Sequence, residues 1–419
     1  MVGAVEAASA STQTSQGKWG PIAYSTEAVV VLLITAVLIQ LRFSSLLPRI
    51  AVLVAKGCTI LGISDCESTN KVVPVLEKKS EAAQAKVLGP EIKSLEWEAA
   101  RRETRARFRS QINEILGICA DEDVPGLKIS EAFEVNSRGL EIFTKSWVPE
   151  IGLPKASVCF CHGYGDTCTF FFEVVARALA AKGFAVFAMD YVGFGMSAGL
   201  HAYIPGFDRL VEDVAEHYSS IKKREEFSHL PLFLMGQSMG GAVALKAHLK
   251  FPNVWDGAVL IAPMCKIAKD MYPPWYTIEI LKLVAKLIPK AKLVPSGDIA
   301  EIGFRDVEKR AQAMQNMIAY TGKPRLGTAL SLLNATDEIE KELHKVSLPL
   351  LILHGAADRV TDPAVSKALY EKASTSDKTL HLYENAWHAV LEGEPDETVN
   401  QAIDDIVRWL DAHSIKNTI

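Results

Sequence analysis

Gly236-Gln237-Ser238-Met239-Gly240 sets a serine between two glycines, directly after the apolar run at 230–235. A serine hydroxyl is a poor nucleophile near neutral pH. It attacks only when a base takes its proton and a third group orients that base. A G-x-S-x-G segment between a predicted strand (230–236) and a predicted helix (241–251) lifts the hydroxyl onto a sharp turn above a sheet, and the glycines allow the close backbone approach that this turn needs. The chemistry such a serine performs is acyl transfer: attack on a carbonyl, a covalent acyl-serine, then release by water. The plainer reading, a glycine-rich turn with an incidental serine, leaves the partners downstream unexplained.

Strand–turn–helix nucleophiles of this kind are followed in the chain by an acid and then a histidine. After Ser238, the apolar run at 348–355 leads into Ala-Ala-Asp358-Arg-Val-Thr-Asp362. Asp358 falls a few residues past a predicted strand end and is favoured as the acid. Asp362 is the rival, but it precedes Pro363 and suits a helix N-cap. The next predicted strand, 378–384, runs into the loop that holds His388. His381 alternates with apolar residues inside that strand, His354 precedes the acid at a strand end, and His413 lies near the tail. The expected set is therefore Ser238, Asp358 and His388. His388 takes the serine proton and returns it to the leaving alcohol, while Asp358 fixes the imidazole tautomer.

The oxyanion that forms during attack needs two backbone donors. Met239 N–H opens the helix after the serine and is one. Tyr164 N–H, in the glycine-containing loop His162-Gly163-Tyr164-Gly165-Asp166, is the other. His162 and Asp166 in the same loop are expected to contact substrate. Residues 190–199, with Gly193, Gly195, Ser197 and Gly199, lack a third spaced glycine opening a helix; they read as a tight loop bracing the nucleophile turn, with no chemistry of their own. No metal-ligand set, P-loop or dinucleotide fingerprint is visible, and no cofactor is expected.

The elements that must carry these residues alternate. Predicted strands at 156–161, 184–190, 230–236, 257–263, 348–355 and 378–384 are interleaved with predicted helices at 170–183, 208–223, 241–251, 363–373 and 399–413. Near-continuous apolar strands in such a rhythm imply an α/β fold, a mainly parallel sheet covered on both faces. Residues 131–135 and 140–147 read as paired strands at a sheet edge, split by the turn at 136–139. The segment 264–345 breaks the rhythm with predicted helices at 275–288, 305–320 and 325–343. It reads as a lid over the edge where ligands bind in open α/β sheets. Met271, Trp275, Tyr276, Ile280, Leu283 and Leu287 are expected to hold an acyl chain.

The 419 residues are 49% hydrophobic and 23% charged, with net charge −5 and pI about 6.1. This is ample for a large core and offers no basic stripe for nucleic acid. Seven cysteines are scattered; Cys159 and Cys161 share one face of a strand and cannot pair, so reduced thiols and an intracellular site are expected. Residues 1–65 differ: a hydroxyl-rich stretch at 8–15, then apolar runs at 28–41 and 50–63. The first run begins too far in, with only Lys18 before it, for a secretory signal. Residues 24–63 are expected to associate with a membrane and leave the larger part of the chain in the cytosol, or to target it to a plastid. Residues 66–125 read as a linker and a charged, solvated helix with Trp97, Phe108, Ile112 and Leu116 on one face. The expected division is 1–65, 66–125, a core in two parts (126–263 and 346–419) and the lid at 264–345.

Several segments together resemble the monoacylglycerol lipase-like α/β-hydrolases, in particular the plant group that includes caffeoylshikimate esterase and lysophospholipase-like proteins: HGYGDTCTFFFE, AMDYVGFGMSAGLHAYIPGFDRLVEDV, FLMGQSMGGAVALKAHLK, DGAVLIAPMCKI, KVSLPLLILHGAADRVTDP and YENAWHAVLEGE. The resemblance runs from about residue 130 to 413. It implies an α/β-hydrolase fold, Ser238, Asp358 and His388 as the triad, and Tyr164 and Met239 as oxyanion donors. Some plant members carry H-x4-D in the first loop, linked with acyltransferase activity; here that position is Thr167, and Asp166 comes one place early. The expected activity is hydrolysis of carboxylic esters, monoacylglycerol or a lysolipid first and a phenolic ester as the alternative. A receptor keeping the triad as a ligand cradle is the rival of another class, and a membrane scaffold a third.

Overall fold

The computed structural model describes residues 95–266, 275–294 and 299–414. The segment 1–65, with its apolar runs, and the linker to residue 94 lie outside the described residues. Among those described, no helix is long and apolar enough to cross a membrane.

Runs rich in β-branched and aromatic residues become strands because such side chains pack well on a pleated surface. In chain order these are β1 (Leu127–Val135), β2 (Glu141–Pro149), β3 (Ser157–Cys161), β4 (Ala185–Met189), β5 (Leu232–Gln237), β6 (Gly257–Ile261), β7 (Leu350–Gly355) and β8 (Lys378–Tyr383). The helices are α1 (Glu98–Leu116), α2 (Phe171–Ala181), α3 (Phe207–Ile221), α4 (Met239–Lys250), α5 (Trp275–Leu287), α6 (Ile299–Gly303), α7 (Val307–Ala313), α8 (Leu326–Glu342), α9 (Pro363–Lys372) and α10 (Asp396–Ser414). The eight strands form one sheet in the order β1-β2-β4-β3-β5-β6-β7-β8. The pairs β1–β2 and β2–β4 are antiparallel and all others parallel.

Alternation along each strand builds two cores. Cys159, Leu234, Leu260 and Ile352 face one side, against Val214 and Tyr218 of α3, Leu245 of α4 and Leu369 of α9. Val158, Phe160, Met235, Val259 and Leu353 face the other, against Leu179 of α2 and Trp409 and Leu410 of α10. Each fully buried large aliphatic contributes about 1.5–3 kcal/mol, so the central strands cannot slip by one residue without exposing a full set. Six parallel strands in register put the ends of β3, β5, β7 and β8 on one edge, and every expected site residue outside the lid follows one of those ends.

Three expectations are corrected. First, α1 is docked rather than solvated: its buried residues are Arg101, Thr104, Arg105 and Ile112, while Trp97 is 55% exposed. Its arginines find acceptors on the core. Arg109 pairs with Asp121, which also binds Lys145 at 2.8 Å; Lys145, almost fully buried on β2, reaches Glu131 and Glu173 at 2.9 Å each. Second, the helix expected at 305–320 is only α7, capped by the Asp306 carboxylate. Beyond Ala313 the chain turns, and Tyr320 N donates to Gly165 O at 2.7 Å. Third, the packed row of α5 is Leu281, Val284 and Ala285, which with Ile288 just past the helix lies against Ala291, Leu326 and Leu330. Leu283 and Leu287 are 64% and 71% exposed, so they lie outside this packed row. Both apolar rows have helical spacing; periodicity could not choose between them.

Candidate active site

β5 delivers Ser238 into a conformation that side chains rarely adopt, φ 53° and ψ −119°, and α4 starts at the next residue. Such a backbone costs on the order of 1–3 kcal/mol and persists only where its surroundings enforce it. Here Ser238 N donates to Ile261 O, and Ser238 O accepts from Gly241 N and Met264 N, each at 2.9 Å. The flanking glycines are required by close approach. A Cβ on Gly240 would sit 1.8 Å from Cys161 O, and one on Gly236 would sit 2.3 Å from Gly240 O.

His388 and Asp358 come together because their loops are tied to each other. Ala356 N donates to Tyr383 O and Ala357 N to Ala386 O, both at 2.9 Å. His388 Nδ1 then lies 2.7 Å from Asp358 Oδ2. Asp358 Oδ1 accepts from Val360 N at 2.7 Å and Thr361 N at 3.0 Å, and Oδ2 also accepts from Thr361 Oγ1 at 2.9 Å. Burial would raise this carboxyl, yet the hydrogen bonds from His354 and His388 outweigh it and hold the group well below the usual carboxylate range. Asp358 is therefore an anion throughout the physiological range, able to stabilise an imidazolium on His388.

His354 and Thr361 are contributors that sequence reasoning missed as partners of the acid. His354 is fully buried, with Nε2 3.0 Å from both Asp358 Oδ2 and Thr361 O, and Nδ1 2.7 Å from Ser366 Oγ. Nε2 faces two acceptors, so it carries the proton, and Ser366 donates to Nδ1. The rival acid Asp362 is exposed and caps α9, accepting from Ala364 N at 2.8 Å. His381 pairs with Asp405, and His413 with Asp377.

The loop after β3 closes over Ser238: a Cβ on Gly163 would lie 3.6 Å from Ser238 Cβ. Tyr164 follows it. Met239 is the first residue of α4, where amides lack an intrahelical partner and the helix dipole is positive. His162 does not face a ligand. It is fully buried, stacked on Tyr191 with centroids 3.9 Å apart, and its Nε2 accepts from Tyr191 N while Nδ1 donates to Gly163 O. Burial pushes it below the usual histidine range, so it is a neutral strut. Asp166 shares a cavity of about 10 Å³ with Gln237 and Glu392, which hydrogen-bond each other. Burial and the nearby Asp190 charge raise its carboxyl to about 7; burial and the Asp166 charge raise Glu392 to about 8.

The 190–199 loop braces the loop at 162–168 rather than the turn at Ser238. Asp190, fully buried, accepts from Thr167 Oγ1 and Cys168 N at 2.8 Å each. Thr167 is thus a donor to a carboxylate, and an aspartate at this position would face Asp190. Of the residues expected to hold an acyl chain, Met271 lies outside the described residues, Trp275 and Tyr276 begin α5, Ile280 is half-buried, and Leu283 and Leu287 are exposed. Cys159, Cys161, Cys168 and Cys265 are buried free thiols, and burial pushes Cys161 up to about 12. Among the described residues no group of three or more His, Cys, Asp or Glu side chains could hold a metal ion.

A parallel sheet with this elbow and a histidine–carboxylate pair on the same edge defines an α/β-hydrolase. Residues 152–396 match the family model described as serine aminopeptidase, S33, and the chain belongs to that hydrolase family. It is 34% identical over 287 residues to caffeoylshikimate esterase of Arabidopsis thaliana, covering 68% of this chain and 86% of that one. It is 33% identical over 276 residues to human (Homo sapiens) monoglyceride lipase, covering 66% and 88%. Among solved structures, a soluble variant of monoglyceride lipase from Saccharomyces cerevisiae superposes with TM-score 0.60 at 21% identity, over 70% of this chain and 98% of that one, a likeness of fold.

Proposed function

We propose that this enzyme hydrolyses carboxylic esters of lipid alcohols, monoacylglycerol or a lysolipid, through an acyl-Ser238 intermediate. The observation that carries the reading is the His388–Asp358 pair at 2.7 Å on the sheet edge that also presents Ser238 on its constrained elbow. His388 Nε2 accepts the Ser238 proton as Oγ bonds to the ester carbon. Met239 and Tyr164 N–H groups hold the resulting oxyanion. Collapse breaks the C–O bond to the alcohol, which leaves with the proton from His388; water, deprotonated by the same imidazole, then releases the acid. The relatives named for monoglyceride lipase and caffeoylshikimate esterase support an ester substrate and divide on its kind.

A competitive panel of monoacylglycerols, lysophospholipids and hydroxycinnamoyl esters, with Ser238→Ala as control, tests the choice. Preferential turnover of the glycerol ester is expected. Turnover of hydroxycinnamoyl esters alone would transfer the reading to a phenolic esterase, and one slow turnover with retained product to a receptor. We further propose that residues 24–63 hold the enzyme at a membrane, with the catalytic part on the reducing side. Retention in the membrane pellet after alkaline carbonate extraction is expected; release, with import into plastids, would replace an anchor by a targeting segment.

A further inference from the structure

We propose that Arg101, on α1 and outside the family-matched residues, is a positioning residue for the oxyanion loop. This rests on the reading of Ser238 as nucleophile and Tyr164 N–H as oxyanion donor. Arg101 is fully buried, and all of its hydrogen bonds go to backbone carbonyls. Nε donates to Gly195 O. Nη2 donates to Ser197 O at 2.8 Å and Gly199 O at 3.2 Å, and Nη1 to Leu95 O at 3.1 Å and Glu96 O at 3.2 Å. Glu98, on the same helix, accepts from Gly199 N at 3.1 Å. Burying a guanidinium with no carboxylate in direct contact is costly; burial draws Arg101 down to about 10 even with Glu98 and Asp190 nearby. Five donors in a rigid fork suit a cage of carbonyls, which an ammonium cannot fill.

The caged loop in turn holds the oxyanion loop. Met196 N donates to Asp190 Oδ2 at 2.9 Å, and Ser197 Oγ donates to Asp190 O while accepting from Phe143 N at 2.8 Å. Asp190 Oδ1 grips Thr167 and Cys168 at one end of the oxyanion loop. At the other end, Tyr191 N donates to His162 Nε2 at 3.3 Å and Tyr191 Oη to His162 O at 3.2 Å. Tyr164 lies between these two anchors, so the place of its N–H depends on residues 190–199, and their place depends on Arg101. Oxyanion donors act on the tetrahedral species and barely on the ground state. Loosening the cage therefore lowers kcat and leaves KM nearly unchanged.

The experiment uses the full chain, a soluble short-chain p-nitrophenyl ester and an alkylboronic acid. Ser238 Oγ adds to the boron, its proton passes to His388, and a boronate oxygen occupies the oxyanion position. Arg101→Gln is compared with Arg105→Ala, which removes an almost equally buried α1 arginine that pairs with Glu131, away from the loop. For Arg101→Gln we expect kcat to fall about tenfold or more, a fraction of the 10²–10³ of a lost oxyanion donor. KM should stay within about twofold and the boronate Ki should rise by the same factor as kcat falls. Arg105→Ala should leave all three within about twofold of wild type. Arg101→Lys, the milder variant, should show the same pattern at smaller amplitude. An unchanged boronate Ki in Arg101→Gln or Arg101→Lys, or equal kcat losses in the Arg101 and Arg105 variants, overturns the proposal. Wild-type protein that a fluorophosphonate does not label at Ser238 overturns the underlying site reading instead, whatever the arginine variants do.

Discussion

His388 Nδ1 sits 2.7 Å from Asp358 Oδ2, and that oxygen is held from two further directions, by His354 and Thr361. The carboxylate can therefore neither rotate nor take a proton easily. Asp358→Asn keeps the shape but offers an N–H where His388 needs an acceptor. We expect kcat to fall by about 10⁴-fold with the protein still folded. Steady-state kinetics with near-unchanged circular dichroism checks this; a loss under tenfold would remove Asp358 from the triad.

Asp362 gives the complementary case. Its carboxylate caps α9 and faces solvent. Asp362→Ala should cost about 1 kcal/mol of stability and leave kcat/KM unchanged. Denaturant unfolding and ester hydrolysis on the same preparation decide it; a large catalytic loss with no stability loss would reverse the two aspartates' roles.

His354 predicts a pH effect. Its Nε2–H stabilises the charged form of Asp358. Removing that bond in His354→Ala makes the carboxylate more basic, which favours imidazolium on His388. The acid limb of kcat/KM then moves to higher pH. One hydrogen bond to a charged group, about 1.5 kcal/mol, is worth about one pH unit on Asp358, and the limb moves by only part of that. Ser366→Ala, which removes only the donor to Nδ1, should shift the limb in the same direction by less. An unmoved limb in both variants would make His354 packing alone.

Glu392 predicts how stability depends on pH. Burial and the Asp166 charge raise its folded-state value to about 8, above the ordinary 4.5. The folded form holds more protons than the unfolded form between these values, so its stability falls as pH rises through that window. Glu392→Gln keeps an acceptor for Gln237 and removes the charge. Its gain in Tm over wild type should be larger at pH 8.5 than at pH 4.5, both chosen about half a unit or less outside or at the ends of the window; an equal gain at both would rule out this linkage.

What was legible in the sequence follows from how each feature is encoded. The elbow at Ser238 and the pairing of His388 with Asp358 were readable because the elbow has a local pattern and an acid and a histidine follow it in fixed order after strands. The parallel strands were readable because burial on both faces leaves unbroken apolar runs. Arg101 was not readable as a buried residue: its acceptors are carbonyls of Gly195, Ser197 and Gly199, and a carbonyl has no residue type. His162 looked available to substrate, and only its stacking on Tyr191 shows that it is internal. The exposure of Leu283 and Leu287 was not readable because α5 carries two apolar rows and the sequence does not say which one Leu326 covers.

The most direct test of a nucleophilic Ser238 is mass spectrometry of the full chain, acid-quenched during turnover of an activated ester. One acyl adduct on the peptide containing Ser238, absent from Ser238→Ala, is predicted. No adduct on that peptide while hydrolysis proceeds, or wild-type hydrolysis by Ser238→Ala, would contradict it.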